Sequence, residues 1–115
     1  MFKLAGENRF KWPVTIKMPS YDAAGAVEVS EFIGHFVALT AEQEAIYLAE
    51  IREARSPEEI TACQRRQIAG VMVGWSDVTG DDGEALAFDA AALDRATEWS
   101  WFRDGVHAAY AEAMS

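Results

Sequence analysis

Apolar residues alternate with polar ones early in the chain and recur at helical intervals over the rest. Met1 to Lys11 shows no clear period. Val14, Ile16 and Met18 then alternate with Thr15 and Lys17, the spacing of a strand with one buried face. Pro19 through Gly25 supply turn chemistry, and Val27 and Val29 resume the alternation against Glu28 and Ser30. The two arms predict a β-hairpin. Phe32, Gly34 and Phe36 continue the period, but out of step with Val27 and Val29. A one-residue slip moves every side chain to the opposite face, so the pattern predicts a bulge or bend near Ser30-Glu31.

The remainder reads as helix. Thr40 with Gln43 forms a capping-box signature that opens a helix running to about Arg55. At Ser56-Pro57-Glu58-Glu59 three signals agree: a capping hydroxyl, a proline suited to the first helical position, and a glutamate able to reach back to a free amide. Ile60, Ile68, Val71, Met72 and Trp75 fall on one stripe, which predicts a helix to about Gly74. Gly80-Asp81-Asp82-Gly83 is an acidic turn, since Gly and Asp tolerate left-handed backbone. Ala85 to Asp89 reads as a short strand or a helix opening, and Asp89 caps a short helix containing Leu93 and Ala96. Phe102, Val106, Ala109, Tyr110 and Ala113 keep helical spacing to the C-terminus. No Gly or Pro marks a break between Thr97 and Ser100, so the pattern leaves open whether one helix or two stand there.

These elements predict one α+β domain over residues 1–115, with an N-terminal β-hairpin packed against three or four helices. Val14, Ile16, Phe32, Phe36, Leu48, Ile68, Val71, Trp75, Leu93, Phe102 and Val106 are its expected core. Trp75 and Trp99 align with core stripes. Trp101 does not: on a regular helix it lies about 100° from Phe102, on the flank shared by Gly105, Ala108 and Glu112. A Trp beside small residues on a helix flank is a reasonable anchor for another protein, with packing against the hairpin of the same chain as the rival reading, so Trp101, Gly105 and Ala108 are the candidate partner-binding residues.

Composition adds two constraints. A length of 115 residues with half of them hydrophobic supports a single core. The net charge of −9 disfavours nonspecific nucleic-acid binding, which needs Lys and Arg against phosphate. The charge is uneven. Lys3, Arg9, Lys11 and Lys17 make the start basic, and nearly all the acid follows. Such a strip is suited to an acidic surface on a partner or on another copy of the chain, or simply to solvent. No window approaches the ~20 apolar residues of a membrane span, and no signal-peptide core is visible, so a cytoplasmic protein with no membrane partner is expected.

Catalytic or metal-binding chemistry finds little support. His35 and His107 sit in different elements without companion ligands. The acidic turn fails as a calcium loop, with Asp82 where Gly is required and Phe88 where the final Glu belongs. The single cysteine, Cys63, has no activating base nearby, and reads as a small half-buried helix residue. Glu42 with Glu44 and Glu58 with Glu59 belong to helix first turns, where they complement the dipole. No enzyme activity, cofactor or metal is expected.

The order of elements resembles the phage tail assembly chaperones of long-tailed phages and prophages. The residues that carry the resemblance begin with Val14-Thr-Ile-Lys17 and Phe32-Ile-Gly-His-Phe36 leading into Leu39-Thr40. They continue with the helix bearing Glu42 and Glu44, then Val73-Gly-Trp75, Asp77-Val78 and Asp81-Asp-Gly83. Phe88 before Asp89, Leu93, and Ala109-Tyr110 complete the series. It spans roughly Lys11 to the C-terminus; Met1 to Phe10 has no counterpart, and the aromatic Trp99-Ser-Trp101 junction departs from it. The resemblance implies a protein of the host cytoplasm, absent from the mature virion. It would bind the long helical tape measure protein, keep it soluble and help recruit tail tube subunits. Self-association is compatible with that role. The rival expectations are a head–tail connector or other morphogenesis subunit, and an acidic DNA mimic that inhibits a nucleic-acid enzyme.

Overall fold

The computed structural model describes all 115 residues. Its elements are β1 (Arg9–Pro19), β2 (Val27–Val37), α1 (Ala41–Glu53), α2 (Pro57–Val71), β3 (Met72–Ser76), α3 (Ala90–Ala96) and α4 (Ser100–Met114). The strands form one antiparallel sheet in the order β1-β2-β3, so the α+β reading holds, with four helices. No helix is long and apolar enough to cross a membrane.

The predicted hairpin is present, with its turn closed by Ser20 N–H to Ala26 O at 3.0 Å and Gly25 at φ 79°. The predicted bulge at Ser30-Glu31 is not. β1 and β2 pair without interruption from Arg9↔Val37 to Pro19↔Val27. The phase slip has a different origin: the apolar residues of β2 serve opposite faces. Phe32 and Phe36 are buried with Val14 and Ile16, whereas Val27 and Val29 lie on the face that no helix covers and are 59% and 65% exposed. The irregularity lies instead between β2 and β3. His35 pairs with Gly74 and Phe36 with Met72, which leaves Val73 as the extra residue of a bulge.

β3 stands where the spacing predicts helix. The stripe Ile68, Val71, Met72, Trp75 fits a helix, yet α2 stops at Val71 and the chain enters a strand with no loop between. Met72 and Trp75 are buried either way, but only as a strand can the segment pair with β2. The bulge at Val73 reconciles the spacing with a strand by shifting the alternation one residue.

The helix caps follow local chemistry. Thr40 and Gln43 make both halves of the capping box on α1. Ser56 Oγ accepts from Glu59 N–H at 3.2 Å, and Glu59 returns to the amide of Arg55, one residue before the cap. Asp89 accepts from Ala92 N–H at 2.7 Å on α3. Ser56→Ala leaves that amide of α2 without its protein partner and is expected to cost about 1 kcal/mol, read as a lower thermal midpoint.

α4 crosses the core face of the hairpin. Phe102 stacks on Phe32, with centroids 5.7 Å apart, at one end of that crossing, and Tyr110 meets Phe10 and Phe36, each at 6.1 Å, at the other. The Tyr110 hydroxyl accepts from Leu39 N–H at 2.9 Å, tying the exit of β2 to α4. Gly105 makes the approach close, since a methyl there would lie 2.6 Å from the Thr15 carbonyl oxygen. Thr15 thus turns its carbonyl towards α4 and away from β2. Pro13 and Pro19 share its parity, so their missing N–H groups cost no ladder bond.

Two expected core residues are not core. Leu48 is 56% exposed because α1 buries no residue and leans on the domain through Tyr47 and Ile51. Trp99 is 53% exposed because α3 and α4 are separate helices, and the break removes it from the stripe that a continuous helix would bury. Phe102 is partly buried and packs against the cluster; the remaining expected members are buried.

Candidate functional site

The α3–α4 corner is fastened by two arginines. Arg65 of α2 donates from Nε to Thr97 Oγ1 at 3.1 Å, and from Nη2 to Asp94 O at 2.9 Å and Asp94 Oδ1 at 2.8 Å. From the other side Arg103 Nη1 reaches the Thr97 carbonyl at 2.8 Å. Thr97 is the buried polar residue between them, 2% exposed, and its hydroxyl donates to Asp94 O. Trp99 is the extended residue before α4, and its indole stacks on Trp101 with centroids 5.1 Å apart and planes 9° from parallel. The clasped corner therefore leads directly into a stacked aromatic pair. Nothing in the spacing of Arg65, Thr97 and Arg103 signals this arrangement in the sequence.

Facing the pair is the loop after β3. Trp75 anchors its far end by donating from Nε1 to Leu86 O at 2.8 Å, with Phe88 edge-on to the indole at 5.0 Å. Within the loop, Leu86 N–H bonds Val78 O, Gly80 N–H bonds Glu84 O, and Gly83 sits at φ 78°, so the acidic turn closes as its Gly and Asp content predicts. Asp77 holds φ 66° at the start of the loop, a left-handed conformation that Asp tolerates better than most residues.

Between loop and corner runs a cleft of about 910 Å³. Phe32, Trp75 and Leu86 line it together with Trp99, Trp101 and Phe102. Its carboxylates are Glu31, Asp77, Asp81 and Asp82, with Arg95 the one cation, and none of these five makes an ion pair within the chain. A second groove of about 830 Å³ lies between the free edge of β1 and α4, and Trp101 and Glu31 line both.

The three residues singled out from the sequence all line this second groove. Trp101 stands between the two grooves, partly buried against the core. Ala108 is exposed and lines the second groove. Gly105 lines it too, buried against β1, where its lack of a side chain admits the strand. Trp99, assigned to the core by its helical phase, is the more open half of the pair.

The histidines are apart. His35 lies on the open sheet face, its Nε2 2.8 Å from Ser76 Oγ across the β2–β3 pairing. His107 Nε2 is buried without a hydrogen-bond partner. Burial pushes the His107 pKa below the ordinary 6.5, with Asp104 opposing the shift and Arg103 adding to it. The unfolded chain binds this proton more readily than the folded one, so the stability is present above 6.5 and lost as pH falls below it. His107→Gln is expected to flatten the decline in thermal midpoint between neutral pH and about pH 5.5, where carboxylates remain mostly ionised. An unchanged slope would assign the decline elsewhere. Cys63 is buried, with Arg66 Nη2 3.2 Å from its sulfur. No cluster of three His, Cys, Asp or Glu side chains is placed to hold a metal.

The chain matches no protein-family model, and no curated protein or solved structure matches it significantly.

Proposed function

We propose that this chain is a binding protein rather than an enzyme, and that it acts as a phage tail assembly chaperone of the kind its sequence resembles. It binds the tape measure protein encoded with it, holds that protein soluble in the host cytoplasm, and hands it to tail tube subunits without entering the virion. The observation that supports this reading most is the stacked Trp99–Trp101 pair lining the cleft, next to Thr97, which Arg65 and Arg103 clasp. An unassembled helical partner exposes apolar faces that aggregate unless covered. A rigid aromatic pair is a strong anchor for such a face, and the −9 charge of the chain keeps the complex dispersed.

Co-expression tests the proposal. The tape measure protein should be insoluble alone and co-purify with this chain when the two are made together; insolubility in both cases defeats the proposal. Trp99→Ala is expected to weaken the complex about tenfold. Its thermal midpoint should stay close to wild type, since half of the side chain already meets solvent. Trp101→Ala should weaken binding and also lower the midpoint, because Trp101 packs against the core.

A further inference from the structure

We infer that the cleft between the acidic loop and the Trp99–Trp101 pair binds a Lys or Arg side chain carried within an apolar peptide segment of a protein partner. The inference rests on the reading of the chain as a binding protein and specifies what that site recognises. Two features of the cleft select the same chemistry. Its aromatic wall is open: Trp99 is 53% exposed and parallel to Trp101, so an indole face is available to a cation. Its charged groups are four carboxylates against Arg95, and none is neutralised by an ion pair within the chain. Carboxylates and an exposed indole lining one cleft attract a cation by both the formal charge and the ring quadrupole.

The floor decides what carries the cation. Val78, Leu86 and Phe102 line it and are only partly buried, so a free small ion leaves their open surface wet, whereas an apolar segment covers it. The volume of about 910 Å³ takes several side chains at once. Phosphate-bearing partners are repelled by the same carboxylates. The asymmetry of the chain supports a positively charged partner. Residues 1–37 hold four Lys or Arg and four Asp or Glu, while residues 38–115 hold six and fifteen, so the negative field is concentrated on the part that contributes most of the cleft.

The probes are two synthetic amphipathic peptides of Leu and Ala, identical except for Lys or Glu beside the apolar stripe. Each is titrated into the full chain by calorimetry and by tryptophan emission. The Lys peptide is expected to bind at least about tenfold tighter than the Glu peptide, with the margin shrinking as salt rises. Trp99→Ala, and separately Asp81→Asn with Asp82→Asn, should each remove most of that margin; Asn at 82 keeps the Oδ1 that accepts from Glu84 N–H. Glu42→Gln with Glu53→Gln makes the same change in net charge on α1, away from the cleft, and should leave the margin intact. Equal affinity for the two peptides overturns the inference, and so does a loss of margin in the α1 variant as large as in the loop variant. The exposed Phe2-Lys3-Leu4 tail has the same chemistry as the inferred ligand. A gain in peptide affinity on deleting residues 1–7 would assign the cleft to that tail and overturn the inference. Failure of tape measure rescue with the peptide margin preserved removes the chaperone role alone. Rescue with no margin, and with Trp99→Ala silent, places the chaperone surface elsewhere.

Discussion

Phe36→Ala is expected to lower stability by about 3–5 kcal/mol, the usual range for truncating a buried Phe. For a domain whose whole stability is about 5–15 kcal/mol, that loss brings unfolding close to ambient temperature. Phe36 is fully buried, stacks on Phe10 at 5.4 Å and meets Tyr110, so its ring joins β2 to β1 and to α4. It is also interlocked with Gly34. A methyl at Gly34 would fall 2.5 Å from the Phe36 ring and 3.2 Å from Val14, and neither side chain has space to retreat. Gly34→Ala should therefore be strongly destabilising in the native background and markedly less so with Phe36→Ala present. A double-mutant cycle by urea denaturation measures that coupling, and strict additivity would show that the ring does not determine the need for glycine.

Gly105→Val is expected to be the most damaging single change on α4. Two effects oppose each other at this position. Replacing a mid-helix Gly gains up to about 1 kcal/mol of helix propensity. Overpacking costs about 1–3 kcal/mol or more, and here the obstruction is the Thr15 carbonyl, which cannot rotate aside as a side chain does. The clash wins even for Ala and grows for Val, because α4 must lift from β1 and separate Phe102 from Phe32. Gly70→Ala supplies the contrast. Its obstruction is the Tyr47 hydroxyl on α1, a helix with no buried residue, so the tyrosine can swing away and the propensity gain survives. Thermal melts should show Gly105→Ala destabilised and Gly70→Ala unchanged or slightly stabilised; equal effects would mean that α4 can shift as freely as Tyr47.

The hairpin and the helix starts at Thr40, Ser56 and Asp89 could be read directly from the chain because each depends on residues a few positions apart. A strand alternates whatever it packs against, and a capping oxygen meets an amide two or three residues away. The acidic turn belongs with them, since Gly83 at φ 78° answers to its own backbone geometry.

The failures share a different origin. Val27 and Val29 have the spacing of buried residues but lie on the sheet face without helices, and periodicity cannot say which face is covered. Met72 to Ser76 satisfies helical spacing and becomes a strand because β2 offers it an edge, a long-range pairing with no local trace. Leu48 and Trp99 fall on apolar phases of helices whose neighbours do not reach them. The cleft is the extreme case. Glu31, Trp75, Asp81, Arg95 and Trp99 come from separate segments, and they converge because Arg65 and Arg103 clasp Thr97 and Trp75 holds the carbonyl of Leu86. Hydrogen bonds and pleat periods act over a few residues and are written in adjacent side chains. The side of an element that water can reach is set by the packing of segments distant in the sequence.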